Sequence, residues 1–129
     1  MSLSESIDTI ESGYEFMLAY AAQGRDTDRD SSGSGAGFEL RESLHKMEAA
    51  LGALGSEVRS AAELQEADLG ASEDFLQAVE EDAKKALGLI RLVMAQPDVS
   101  SMLIDNVNAS IHLRALLTDL FVIDEAFKT

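Results

Sequence analysis

Residues 40–58 read LRESLHKMEAALGALGSEV, and this stretch decides the fold class of the chain. Its apolar residues recur at alternating intervals of four and three positions, at Leu40, Leu44, Met47, Leu51, Leu54 and Val58. Because an α-helix turns by about 100° per residue, these intervals place the apolar side chains on one face. The stretch therefore predicts an amphipathic helix with one buried stripe.

The same periodicity continues on both sides of this stretch. A first helix is expected to start at Ser2, which with Glu5 has the spacing of a capping box. The second helix is expected to be closed by Gly70, and a third to start at Ser72 and to stop before Pro97. A last helix is expected from about residue 100 onwards. Four such helices can hide their apolar stripes only by facing one another.

The chain is therefore predicted to be all-α, a four-helix up-and-down bundle that forms a single domain over residues 1–129. Its first two helices are joined by residues 25–37, RDTDRDSSGSGAG, which combine charge, serine and glycine without an apolar anchor. This segment is expected to be a mobile, flexible Gly/Ser-rich loop. It is longer than the roughly 2–8 residues that usually join bundle helices.

The last helix carries two apolar stripes that point in different directions. One stripe consists of Leu103, Ile104, Val107 and Ile111, and the second, more than about 90° away, consists of Leu113, Leu116, Leu120, Ile123 and Phe127. Either the helix breaks near residues 105–108, or its two halves face different partners. The second stripe is the candidate interface, and it leads us to expect a homodimer.

The composition narrows the classes of partner. The 24 acidic and 10 basic residues give a formal net charge of −14, and the acidic residues are spread along the chain. A field of this sign repels nucleic acid and anionic membranes, so the expected partner is an unidentified protein. The spread acidity is open to two interpretations, service to solubility or recognition of a basic partner. The chain has no cysteine, no long apolar run and no basic start followed by an apolar segment. A soluble cytoplasmic protein is expected.

His45 is predicted to point to solvent, because it lies about 140° from the direction of the buried stripe. The run LHKMEAALGALG around it, residues 44–55, locally resembles the phosphorylation helix of histidine phosphotransfer domains. These domains are four-helix bundles of similar length that relay a phosphoryl group between response regulators. Four positions of that helix match, at His45, Met47, Gly52 and Gly55.

Two further positions of the resemblance differ. Where the family has a lysine and then a glycine, this chain has Glu48 and Ala49. The lysine helps to neutralise the incoming phosphate, whereas a carboxylate repels it. The resemblance therefore supplies an alternative function, phosphoryl relay with His45 as the phosphoacceptor.

Other candidate sites are incomplete. Glu42 and His45 have the Glu-x-x-His spacing of dimetal bundles, but a second copy is missing. His112 shares a polar stripe with Asp105, Asn108 and Asp119, which makes a weak acid/base candidate. The chain has no nucleotide-binding loop and no nucleophile elbow. No catalytic, metal or cofactor site is therefore predicted.

The expected function follows by elimination. The chain is expected to be a small, acidic, non-enzymatic binding or regulatory protein that acts through contacts of helix faces. Two alternatives remain open: phosphoryl relay through His45, and an acidic adaptor or mimic that occupies a basic surface of a partner.

Overall fold

The computed structural model describes residues 2–29, 35–65 and 69–127. Over these residues all of the regular secondary structure is α-helical, which confirms the predicted all-α class. The helices are α1 (Leu3–Ala21), α2 (Ala36–Leu64), α3 (Leu69–Met94), α4 (Ser101–Ala109) and α5 (Ile111–Ala126). The sequence predicted four helices, whereas the described ranges contain five. None of these helices is both long enough and apolar enough to cross a membrane.

The core forms where the stripe of α2 meets the other helices. α2 packs against α1 and α3, whereas α4 packs on α1 and α5 packs on α3. The six predicted apolar residues of α2 are all buried in one hydrophobic core. The rotational phase predicted for this helix is therefore confirmed. At the start of α1, the hydroxyl of Ser2 accepts a hydrogen bond from the backbone N–H of Glu5 (3.2 Å), as the predicted cap requires.

A break at Ser110 resolves the two apolar stripes of the last segment. The backbone at Ser110 is extended, its N–H donates to the carbonyl of Val107, and its hydroxyl accepts from the N–H of His112 (3.3 Å). One residue therefore ends α4 and starts α5. Of the two alternatives left open by the sequence, the structure has the break, but at Ser110 and not within residues 105–108. Because the helix is interrupted here, Ile104 and Val107 of the first stripe and most of the second stripe reach the core, whereas Ile111 of the first stripe is 73% exposed.

This burial corrects the candidate interface. Four of its five residues belong to the core of the protein itself, namely Leu113, Leu116, Leu120 and Ile123. The fifth, Phe127, is half-buried against that core. The prediction that they form a free surface for a second subunit is wrong. A straight last helix could have buried only one of the two stripes, whereas the break at Ser110 lets α5 turn the second one inward.

The connection between α2 and α3 also differs from expectation. α3 begins at Leu69, so Gly70 does not close α2 and Ser72 does not cap α3. Both residues lie inside the first turns of α3. The connection itself, residues 66–68, lies outside the described residues.

The segment after α1 is held by a buried carboxylate. Oδ1 of Asp28 accepts from the N–H of Val99 (2.7 Å), and its Oδ2 accepts from Nε of Arg41 (2.7 Å). The other guanidinium nitrogens of Arg41 donate to the carbonyls of Met94 and Gln96, both at 2.9 Å. Burial acts to raise the pKa of Asp28, but the hydrogen bonds from Arg41 and Val99 outweigh it and keep the pKa below its usual value.

A second set of hydrogen bonds joins the same segment to the start of α4. Arg25 and Ser101 exchange two of them, from the N–H of Arg25 to the hydroxyl of Ser101 and from the N–H of Ser101 to the carbonyl of Arg25, both 2.8 Å. The buried hydroxyl of Tyr20 donates to the carbonyl of Val99 (2.7 Å). We call the set Tyr20, Arg25, Asp28, Arg41, Val99 and Ser101 the polar clasp.

The polar clasp corrects the expectation of an unanchored loop. Residues 25–29 of the 25–37 segment are fixed by polar rather than apolar contacts. Gly37 adds a close backbone approach, because a Cβ at this position would overlap the carbonyl oxygen of Asp28. Residues 30–34 lie outside the described part of the chain.

Candidate functional site

His45 lies on the outer face of α2, as its helical phase predicts. Its side chain is 69% exposed, and its Nδ1 lies 4.0 Å from Oε1 of Glu48. The other oxygen of Glu48 accepts from Nε of Arg91 on α3 (3.0 Å). A Cβ at Gly52 would meet nothing within 4 Å, so the surface beyond His45 is open. The immediate charged neighbour of His45 is thus a carboxylate.

The other residues predicted from polar spacing do not converge. Asp105 and His112 are exposed, whereas Asn108 is buried and donates from Nδ2 to the carbonyl of Met17 (3.2 Å). Glu42 is exposed on α2. Within residues 2–29, 35–65 and 69–127, no three or more His, Asp or Glu side chains lie close enough to hold a metal ion.

Two carboxylates that sequence spacing does not bring together meet between α3 and α5. Burial, the hydrogen bond with Asp82 and the charge of Asp82 together raise the pKa of Asp119 to about 7. Asp82 is 37 positions away in the chain, and only the packing of α3 on α5 reveals the contact. The pair therefore retains a proton where isolated carboxylates are ionised.

This pair predicts a pH-dependent stability. In the unfolded chain Asp119 ionises near 3.8, the ordinary pKa of an aspartate, whereas in the folded protein its pKa is about 7. The unfolded state thus binds fewer protons between these values, so the free energy of unfolding falls as the pH rises through this window. We expect Asp119→Asn to flatten the decline of Tm between pH 5 and pH 8 and to raise Tm at pH 8. Asp105→Asn, at an exposed position, is the control. Equal pH profiles for wild type and Asp119→Asn would contradict the assignment.

An apolar recess of about 180 Å³ lies at one end of the bundle, where α2 ends, α3 begins and α5 ends. Its walls are almost entirely apolar, and Phe75 (38% exposed) and Val122 (51% exposed) stand at its opening. Phe121, which directly precedes Val122 in the chain, is also exposed. We call the lining set the apolar end; its residues are Ala62, Ser72, Phe75, Leu76, Val122, Ile123, Ala126 and Phe127.

A longer groove of about 480 Å³ runs between α1 and α2. We call it the acidic groove, and it is lined by Asp8, Thr9, Ser12, Gly13, Phe16, Glu39, Glu42, Ser43 and Lys46. It contains three carboxylates, one ammonium group, three hydroxyls and one aromatic ring. Sequence reasoning missed it because its residues lie on the polar flanks of two stripes and share a surface only after α1 and α2 pack.

No protein-family model, no curated protein and no solved structure matches this chain with significance.

Proposed function

We propose that the protein is a non-enzymatic binding or regulatory protein that acts through helix-face contacts and self-associates as a homodimer. The observation that carries this proposal is the apolar end. Phe75, Phe121 and Val122 expose apolar surface beside an apolar recess, an arrangement typical of protein interaction sites.

A second copy of the chain is the occupant we favour for the apolar end. A two-fold dimer uses the same patch on both subunits, so the patch must offer both a protruding side chain and a recess that receives it. Val122 and Phe121 provide exposed apolar side chains, and the recess beside Phe75 provides the complementary space. The apolar end replaces the stripe that the sequence suggested as the interface. Two residues of that stripe, Ile123 and Phe127, also belong to the apolar end, where they form part of the wall of the recess.

Self-association is expected to depend on Val122. Light scattering should give a mass near twice 13.9 kDa at high micromolar concentration, and the dimer should tighten as salt screens the repulsion between two chains of charge −14. Val122→Glu should give a monomer. Met102→Glu is the matched control, because Met102 is an exposed apolar residue on α4, away from the apolar end. A wild-type monomer near 13.9 kDa at high concentration and high salt would overturn the dimer.

Phosphoryl relay through His45 is the alternative that we favour less. The exposure of His45 and the open surface at Gly52 suit an accessible phosphoacceptor. Glu48 weighs against it, because its carboxylate lies 4.0 Å from the imidazole, where it repels an incoming phosphoryl group. Arg91 pairs with Glu48 and offsets this charge only in part.

A further inference from the structure

We infer that the acidic groove binds a basic segment of a partner protein, with Lys or Arg side chains at its carboxylates and an apolar side chain against Phe16. The inference rests on the proposed role as a binding protein, but it does not depend on self-association. It concerns a surface at α1 and α2, whereas the apolar end is built from α2, α3 and α5.

The packing of α1 on α2 creates the groove. The two helices run antiparallel, since Ser6 donates to Glu57 (2.6 Å) while Gly13 faces Met47. A Cβ at Gly13 would overlap the thioether of Met47, so the helices approach closely at this point. Phe16 is half-buried and packs against the core, which leaves part of its ring as an apolar surface within the groove.

The carboxylates of the groove are available for a ligand. Asp8, Glu39 and Glu42 form no ion pair with any residue in the described part of the chain. A few acidic residues elsewhere do have cationic partners, as Glu73 has in Arg59. Three carboxylates and one cationic residue, Lys46, line the groove, so the formal charge of the groove is −2. Charge complementarity therefore selects a cationic occupant.

The shape of the groove favours a peptide over a metal ion. Its carboxylates are not part of any three-ligand cluster among residues 2–29, 35–65 and 69–127. The groove is open and elongated along two helices, and the hydroxyls of Ser12 and Ser43 can hydrogen-bond to a peptide backbone. An apolar surface flanked by carboxylates matches a segment in which basic and apolar residues alternate.

The test uses a synthetic 12-residue peptide of lysine and leucine, and an analogue with glutamate in place of lysine. In spectra of the ¹⁵N-labelled protein, the lysine peptide should shift amide signals of residues 8–16 and 39–46, and the glutamate analogue should not. The apparent Kd should rise steeply with salt, because the attraction is electrostatic.

A matched pair of double variants separates the groove from general charge attraction. Glu39→Gln with Glu42→Gln is expected to weaken binding about fivefold. Glu81→Gln with Asp105→Asn removes the same charge at exposed positions outside the groove and should change the Kd by less than about twofold. Equal weakening by both double variants, or shifts that concentrate at the apolar end, would overturn the inference.

The same titration on Val122→Glu keeps the two proposals apart. Peptide binding that persists in this variant while the dimer is lost supports the groove independently of the dimer. A wild-type dimer whose groove signals do not respond to the lysine peptide overturns the groove and leaves the dimer standing.

Discussion

Arg41→Ala is expected to lower the free energy of unfolding by about 3–5 kcal/mol. The substitution leaves the buried carboxylate of Asp28 without its guanidinium partner. It also removes the donors to the carbonyls of Met94, the last residue of α3, and of Gln96, two residues beyond it. One side chain joins the segment after α1, the start of α2 and the end of α3, so its loss should loosen all three. Urea unfolding followed by circular dichroism measures the change.

The control for this prediction is Arg29→Ala. Arg29 also pairs with an aspartate, Asp98, but the two side chains are 70% and 55% exposed. An exposed pair of this kind contributes at most about 1 kcal/mol. If both substitutions had the same effect, the polar clasp would have no special role in stability, and the segment after α1 would not be anchored by Asp28.

Leu51→Ala is expected to lower the free energy of unfolding by about 2–5 kcal/mol, because it opens a cavity in the core. Leu51 lies in the middle of the buried stripe of α2, which contacts both α1 and α3. Lys46→Ala, on the exposed face of the same helix, should change stability by less than about 0.5 kcal/mol. The same urea titration compares the two variants, and similar losses would contradict the observed phase of α2.

The helices were predictable because burial repeats with the helical period. The stripe of α2 and the cap at Ser2 follow from local spacing alone, and both are found in the structure. The anchoring of residues 25–29 was not predictable in this way. It depends on Asp28, which has the sequence context of a solvated loop residue and becomes buried only because Arg41 and Val99 satisfy its oxygens.

The surfaces were harder to predict than the core. The exposure of His45 follows from its angle on α2, and the structure agrees. Leu116 and its neighbours were predicted to form an interface, but they are buried within the same chain. Amphipathic spacing identifies a buried face, but it does not show whether the same chain or another one covers that face. The acidic groove and the Asp82–Asp119 pair each join residues from two helices, so they exist only in the packed protein.

Ser110 also bears on how this protein can change during evolution. One extended residue separates the helical phase of α4, which is set by its packing on α1, from that of α5, which is set by its packing on α3. Substitutions that adjust one packing surface therefore do not force matching substitutions in the other. A continuous helix would transmit each insertion to every later contact as a rotation of about 100° per residue. With the break, the rotational phases of α4 and α5 can change independently, although the two helices together complete one core.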